Sequence, residues 1–239
     1  MAGRTAPKII TNGLTLYLDA GNVRSYASGS TTWRDLTPNN NNGTLINGPT
    51  FSTEANGCIT FDGVNDYVNT VSASSLLNFQ TAGTIDIVFK ILSAPVADYI
   101  TIAGFHASSN RTIWIETAEV ATDRVRLLWS LSSGTLGSIR SNINPSTNRN
   151  INHVVGTYEV SASNVIFKIY VNGSQFGSTS TVSGSLTNNT AAPFIIGSLQ
   201  DLSNFANANV YSAKIYNRAL SATEILQNYN ATKTKFGLT

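Results

Sequence analysis

Charge is scarce in this sequence. Acidic and basic residues together make up 12% of 239 positions, about half the share of roughly 25% usual in globular chains. The 15 basic residues are scattered without a Lys/Arg run, and the formal net charge is only +2, which argues against nucleic-acid binding through a concentrated phosphate-neutralising patch. The single cysteine, Cys58, excludes an intramolecular disulfide framework and any multi-cysteine zinc site. Its setting between Gly57 and Ile59 reads as a buried strand position. No apolar stretch approaches the roughly 20 residues of a membrane-spanning helix, and Met1–Ile10 has no secretory apolar region. The expectation is a protein made in a cytoplasm that stays soluble.

Hydrogen-bonding side chains replace the missing charge. Asn, Ser and Thr number 27, 27 and 28, or 82 of 239 residues, and these types favour strands, turns and caps over helix interiors. Period-2 alternation recurs along the chain. Ile85, Ile87, Phe89 and Ile91 share one side of a strand whose other side carries Asp86 and Lys90, the pattern of one buried face. Val165, Phe167, Ile169 and Val171 repeat it, as do Val125, Leu127, Trp129 and Leu131, facing away from Arg126 and Ser130. Leu14, Leu16 and Leu18 form an early strand, and Ile113 with Ile115 another. Turn signals accompany them at Asn12-Gly13, Asn42-Gly43, Asn47-Gly48, Asn56-Gly57, Asp62-Gly63 and Asn172-Gly173, dipeptides that accept positive φ at little cost. The last predicts a hairpin returning through Ser174 to Thr181, and residues 183 to 190 read as an exposed loop.

One helix is expected near the C-terminus. Ser221-Ala222-Thr223-Glu224 is a capping box with Leu220 and Ile225 at the staple positions, and Ile225, Leu226 and Tyr229 supply an apolar stripe. The fold class predicted is an all-β antiparallel sandwich with one short C-terminal helix. It divides into an N-terminal arm over residues 1–11, the sandwich over 12–232 and a tail over 233–239.

Three groups of segments carry a family resemblance. They are Gly13–Asn22 (GLTLYLDAGN) with Trp33–Leu36 and Asn42–Leu45; Ile59–Val68 (ITFDGVNDYV); and His153–Tyr158, Tyr170–Gly173 and Ala213–Ser221 with Glu224–Leu226. The chain resembles laminin-G-like domains of the concanavalin A-like lectin/glucanase superfamily over residues 13 to 231, most of all those in virion proteins of tailed bacteriophages. The resemblance implies a jelly roll and a non-enzymatic virion component: a capsid decoration protein, head fibre or tail-associated subunit, present in many copies or as a homo-oligomer and touching other capsid or tail proteins. It also admits a host-surface glycan as ligand, or a free-standing lectin-like protein as the alternative. Arg4 and Lys8 of the arm, or the 233–239 tail, would dock on a neighbour.

Catalysis is not expected. Sandwich glucanases of this superfamily carry acids on alternate positions of one strand, and the nearest group here, Glu116, Glu119 and Asp123, is spaced for a hairpin end. His106 and His153 lie far apart, with no nucleophile motif beside either. Relatives often hold calcium at one edge of the sandwich, for which Asp62 and Asp66 are the chemically suitable pair; no other cofactor is implied. For a carbohydrate, Trp114 is the candidate aromatic platform with Tyr99, Asn110 and Arg111 around it. The other reading of Trp114, left open, is a side chain covering the second face of a packed sheet.

Overall fold

The alternating segments become strands of two packed antiparallel sheets in the computed structural model, which describes residues 7–93, 99–107, 110–118, 124–141, 149–198 and 204–238, with backbone alone at 106, 107, 110 and 118. Among these residues the strands are β1 Leu14–Asp19, β2 Thr32–Trp33, β3 Gly43–Ile46, β4 Thr50–Ser52, β5 Cys58–Asp62, β6 Tyr67–Ser72, β7 Ala82–Ile91 and β8 Tyr99–Ala107. They continue with β9 Asn110–Ala118, β10 Arg124–Ser130, β11 Leu136–Arg140, β12 Asn152–Ser161, β13 Asn164–Val171, β14 Ser174–Ser183, β15 Pro193–Ile196 and β16 Asn207–Tyr216. The first sheet runs β14-β13-β12-β7-β16-β5-β4, with β1 also on β16, and the second runs β11-β10-β9-β8-β15-β6-β3-β2. Besides the C-terminal helix α2 (Ala222–Phe236), the described residues include one short turn of α-helix, α1 (Ala73–Leu76), and a 3-10 turn at Glu54–Asn56.

The core lies between the sheets. Phe61, Phe89 and Phe167 from the first sheet meet Phe105, Trp129 and Phe194 from the second, all buried. Trp129 and Phe167 stack across the gap at 3.9 Å between ring centroids, so the widest side chains of the alternating pattern set the sheet separation.

The first sheet departs from the expected single buried face. β7 is buried on both sides, Asp86 included, because α2 lies across the outer surface. Ile225 and Leu220 pack there with Val155, Tyr170 and Tyr216, while Phe236 and Leu238 pack with Cys58, Val88 and Tyr211. Burying Ile225 and Phe236 contributes about 1.5–3 kcal/mol each. The capping box forms as expected: the Ser221 amide donates to Glu224 Oε2 at 2.9 Å and the Glu224 amide to Ser221 Oγ at 3.3 Å. The expected stripe is shifted, however. Leu226 is 45% exposed, and the buried positions are Ile225, Asn228, Thr232 and Phe236.

At both ends the described residues engage the C-terminal helix. The helix continues through residues 233–236 and Gly237 caps it in the left-handed region at φ 64, so the expected tail is mostly its last turn. From Lys8 onward the arm is bound: Gln227 Nε2 donates to the Lys8 carbonyl at 2.8 Å, and the Ile10 amide donates to Asn228 Oδ1 at 2.8 Å. Arg4 lies outside the described residues.

The Asn172-Gly173 hairpin forms, with φ of 48 and 82 at its two turn residues. The glycine is also required by packing, since a Cβ there would stand 2.9 Å from the Tyr229 ring of α2. At residues 183–190, β14 extends to Ser183 and Leu186 is buried in a β-bridge to Leu131, so that loop is pinned at its centre.

Candidate functional site

The outer face of the second sheet carries Trp114 and Glu116. In its register Thr101, Glu116 and Arg126 lie side by side on β8, β9 and β10, and Gly104, Trp114 and Leu128 form the next row. Trp114 does point away from Ile113 and Ile115, but it is 1% exposed. A carbohydrate platform needs a bare ring face, so of the two readings the structure selects the packed one. Gly104 makes room for it: a Cβ there would come within 2.2 Å of Trp114 Cβ.

Polar bonds fix this tryptophan. Its Nε1–H donates to Glu116 Oε2 at 2.7 Å, and Arg126 pairs with the other oxygen of Glu116. Burial pushes the Glu116 carboxyl up, opposed by the Arg126 charge and the bond from Trp114. The guanidinium of Arg111 lies 5.7 Å over the Trp114 ring, within cation–π range. Tyr99 stands opposite Ala118 at the far end of the same strand pair and is not brought to Trp114. Asn110 pairs with Ala107 beside the β8–β9 turn; its side chain lies outside the described residues.

Next to Arg111 a cleft of about 330 Å³ opens at the end of β10 and β11, lined by Ser130, Ser132, Leu136 and Thr187 among others. Its wall is braced by the Ser132 amide donating to the Ser185 carbonyl and the Thr187 amide to the Ser130 carbonyl, each at 2.9 Å.

Glycoside hydrolysis requires two carboxyl groups flanking the scissile bond. Among the described residues of this face Glu116 stands alone and is already ion-paired; Glu119 and Asp123 fall outside them. His153 is buried beneath α2 on the first sheet, its Nε2 3.1 Å from Asp86 Oδ1, which also binds Lys214 Nζ at 3.0 Å. Asn228 Nδ2 donates to Asp86 Oδ2 at 2.9 Å and to Tyr216 Oη at 2.9 Å. Burial alone would raise the Asp86 carboxyl, but Lys214 and His153 outweigh it and hold the group well below the usual carboxylate range. Sequence reading missed this network by placing Asp86 on a solvent face. The available signal was the capping box, which required a helix to cover some outer surface. Cys58 is fully buried and its thiol is pushed up by burial, which disfavours the reactive thiolate.

Asp62 and Asp66 form the predicted tight turn. Asp62 Oδ1 accepts from the Val64 amide at 2.8 Å, and Asp66 Oδ2 from the Asp62 amide at 3.2 Å. Only Asp66 Oδ1 is buried without a partner, and no group of three or more His, Cys, Asp or Glu converges among the described residues. Calcium takes six to eight oxygens, and in this turn both carboxylates already accept backbone amides.

A family model described as the concanavalin A-like lectin/glucanases superfamily, laminin-G type, matches residues 62–226. No curated protein sequence matches significantly. Similar solved structures include the binding domain of Paraclostridial Mosquitocidal Protein 1, with 16% identity and a TM-score of 0.70 over 92% of this chain and 52% of that one. Another is the ligand-binding domain of botulinum neurotoxin serotype D in complex with N-acetylneuraminic acid, with 11% identity and a TM-score of 0.69 over 91% and 50%. A third is the Trypanosoma rangeli sialidase in complex with the inhibitor DANA, with 15% identity and a TM-score of 0.69 over 97% and 36%. The chain thus spans half, or in the sialidase about a third, of the solved chains it matches. At these identities the likeness is one of fold alone.

Proposed function

Because the chain belongs to the concanavalin A-like lectin/glucanases superfamily, we propose that it is a non-enzymatic recognition module, a structural part of a tailed-phage particle that presents the second sheet to a host-surface glycan. The observation that carries the recognition reading is a cleft on the second sheet. At the edge of the second sheet a cleft opens beside the arginine that lies over Trp114, with hydroxyl side chains and the exposed Leu136 in its lining. Glu116, alone among the described residues of this face and neutralised by Arg126, supports binding over hydrolysis. That two of the solved neighbours are binding domains, one of them holding an acidic sugar, supports a glycan as the ligand class.

The virion placement is supported by the segments Gly13–Asn22 and Ile59–Val68, whose wording resembles phage proteins. Protein identification and immunogold labelling of purified particles test it: a fixed copy number at one location is expected, and absence from particles refutes it. Absence from particles together with saturable binding of the isolated protein to host polysaccharide would establish the alternative, a free-standing lectin-like protein. No binding to polysaccharide by protein or particle would refute recognition and leave a purely architectural role.

A further inference from the structure

The geometry points to a carboxylate-bearing sugar residue as the ligand of the cleft beside Arg111, an assignment that rests on the recognition reading above and gives it a chemistry. Arg111 is the reason. Its guanidinium is held over the Trp114 ring, yet among the described residues it has no carboxylate within ion-pair distance. The nearby acid, Glu116, is occupied by Arg126 and by Trp114 Nε1–H. A stacked guanidinium keeps its N–H fork free at the edge and has already lost much of its rotamer freedom. A planar fork matches a carboxylate through two parallel hydrogen bonds.

The remainder of the cleft suits the rest of a sugar. Ser130, Ser132 and Thr187 bring three hydroxyls to one wall, and each can donate one bond and accept two. Their mutual bonds, Ser132 Oγ to Ser185 Oγ at 2.8 Å and Thr187 Oγ1 to Ser130 Oγ at 3.4 Å, leave capacity for ligand hydroxyls. Leu136, 60% exposed at the rim, offers an apolar surface to the CH face of a ring. A volume of about 330 Å³ is at the small end of ligand pockets, which run from about 300 to 1,000 Å³, and therefore suits one ring. Among the described residues no acidic side chain lines the cleft. A bare sulfate or phosphate would use Arg111 and could accept from the hydroxyls, but it has no CH face to lay on Leu136.

The test is an NMR titration of the full chain with the methyl glycosides of glucuronic acid and N-acetylneuraminic acid, with methyl glucoside and inorganic sulfate as comparators. At least one acidic sugar is expected to shift resonances of Arg111, residues 130–136 and Thr187, and to bind about tenfold or more tightly than methyl glucoside. Arg111→Gln is expected to abolish that preference and Arg111→Lys to keep part of it, because charge without the fork remains; the thermal midpoint of both stays near that of the wild type. Equal binding of the neutral sugar, sulfate as effective as the acids, or no response to any acid overturns the assignment. If the wild type binds host polysaccharide and Arg111→Gln binds it equally, the cleft assignment fails and the recognition reading stands. If acidic sugars bind at the cleft but neither protein nor particle binds the host surface, the recognition role fails and the cleft stands.

Discussion

Replacing Asp86 by Asn should be among the most damaging single changes available to this protein. The side chain is fully buried between β7 and α2, and its carboxylate contacts Lys214, His153 and Asn228. Asparagine keeps the shape but leaves the Lys214 ammonium, also fully buried, without a counter-charge. Breaking a buried pair from one side costs about 3–5 kcal/mol. In a chain of this size each kcal/mol moves the thermal midpoint by about 2–4 °C, giving a drop of about 6–20 °C. Scanning calorimetry at pH 7 measures it, with exposed Glu159→Gln as the surface control, expected within about 0.5 kcal/mol of wild type. The double replacement Asp86→Leu with Lys214→Met removes both charges and should recover at least half of the loss.

The pH dependence has a definite sign. The folded carboxyl is held below its unfolded value, so its stabilisation is fully present above an unfolded value of about 3.9 and is lost as pH falls toward the folded one. The gap between wild type and Asp86→Asn should therefore be flat from pH 7 to about 5 and narrow below about 4. A loss under about 1 kcal/mol at pH 7, or a double variant no better than the single one, would refute the claim that this network holds the helix on the sheet.

Ser221→Ala should cost about 1 kcal/mol in urea unfolding, since it removes the cap from α2. Arg218, assisted by the Ser221 amide, holds the Glu224 carboxyl down to about 2 against the opposing effect of burial, so the Glu224 contribution should be full above about pH 4.3 and fade as pH falls from there toward about 2. Removing residues 1–11 should destabilise by about 2–4 kcal/mol, because Ile10 packing and three hydrogen bonds to α2 and Tyr216 are lost; a loss no larger than on removing residues 1–6 would refute the bound arm. Millimolar calcium or a chelator should leave the thermal midpoint unchanged within about 1 °C, and a clear rise with calcium would show a site that the Asp62–Asp66 turn does not display.

Strand identity and inward faces were legible in sequence because a two-residue period leaves little choice of side, as at Ile85, Ile87 and Phe89. The hairpin at Asn172-Gly173 and the start of α2 were legible because their chemistry is local. What covers an outer face is a tertiary matter, and there the reading failed in two ways. Asp86 looks solvated until α2 is laid over it, and the buried stripe of that helix contains Asn228 and Thr232, which no hydropathy pattern selects. Trp114 was correctly turned outward, but its exposure depends on what meets it there, Glu116 and Arg111 among others. The Glu116–Arg126 pair was within reach, since a hairpin joining β9 to β10 sets those residues opposite each other. The cleft was not, because it depends on Leu186 bridging to Leu131 across more than fifty residues.

The position of β16 bears on the order in which the protein can assemble during synthesis. This strand, last in chain order among those described, pairs with β7 along one edge and with β5 and β1 along the other. Until it has left the ribosome, β1 has no neighbour in the first sheet, and β7 is open on the side away from β12. The second sheet contains no strand later than β15, so its hydrogen-bonded frame can be complete first. Closure of the first sheet then waits on contacts nearly two hundred residues apart, such as Leu18 with Ala213, and separations of that size slow folding and prolong the exposure of unpaired edges. A ribosome stalled before residue 207 would hold a half-sandwich with bare edges, the species for which a chaperone would compete.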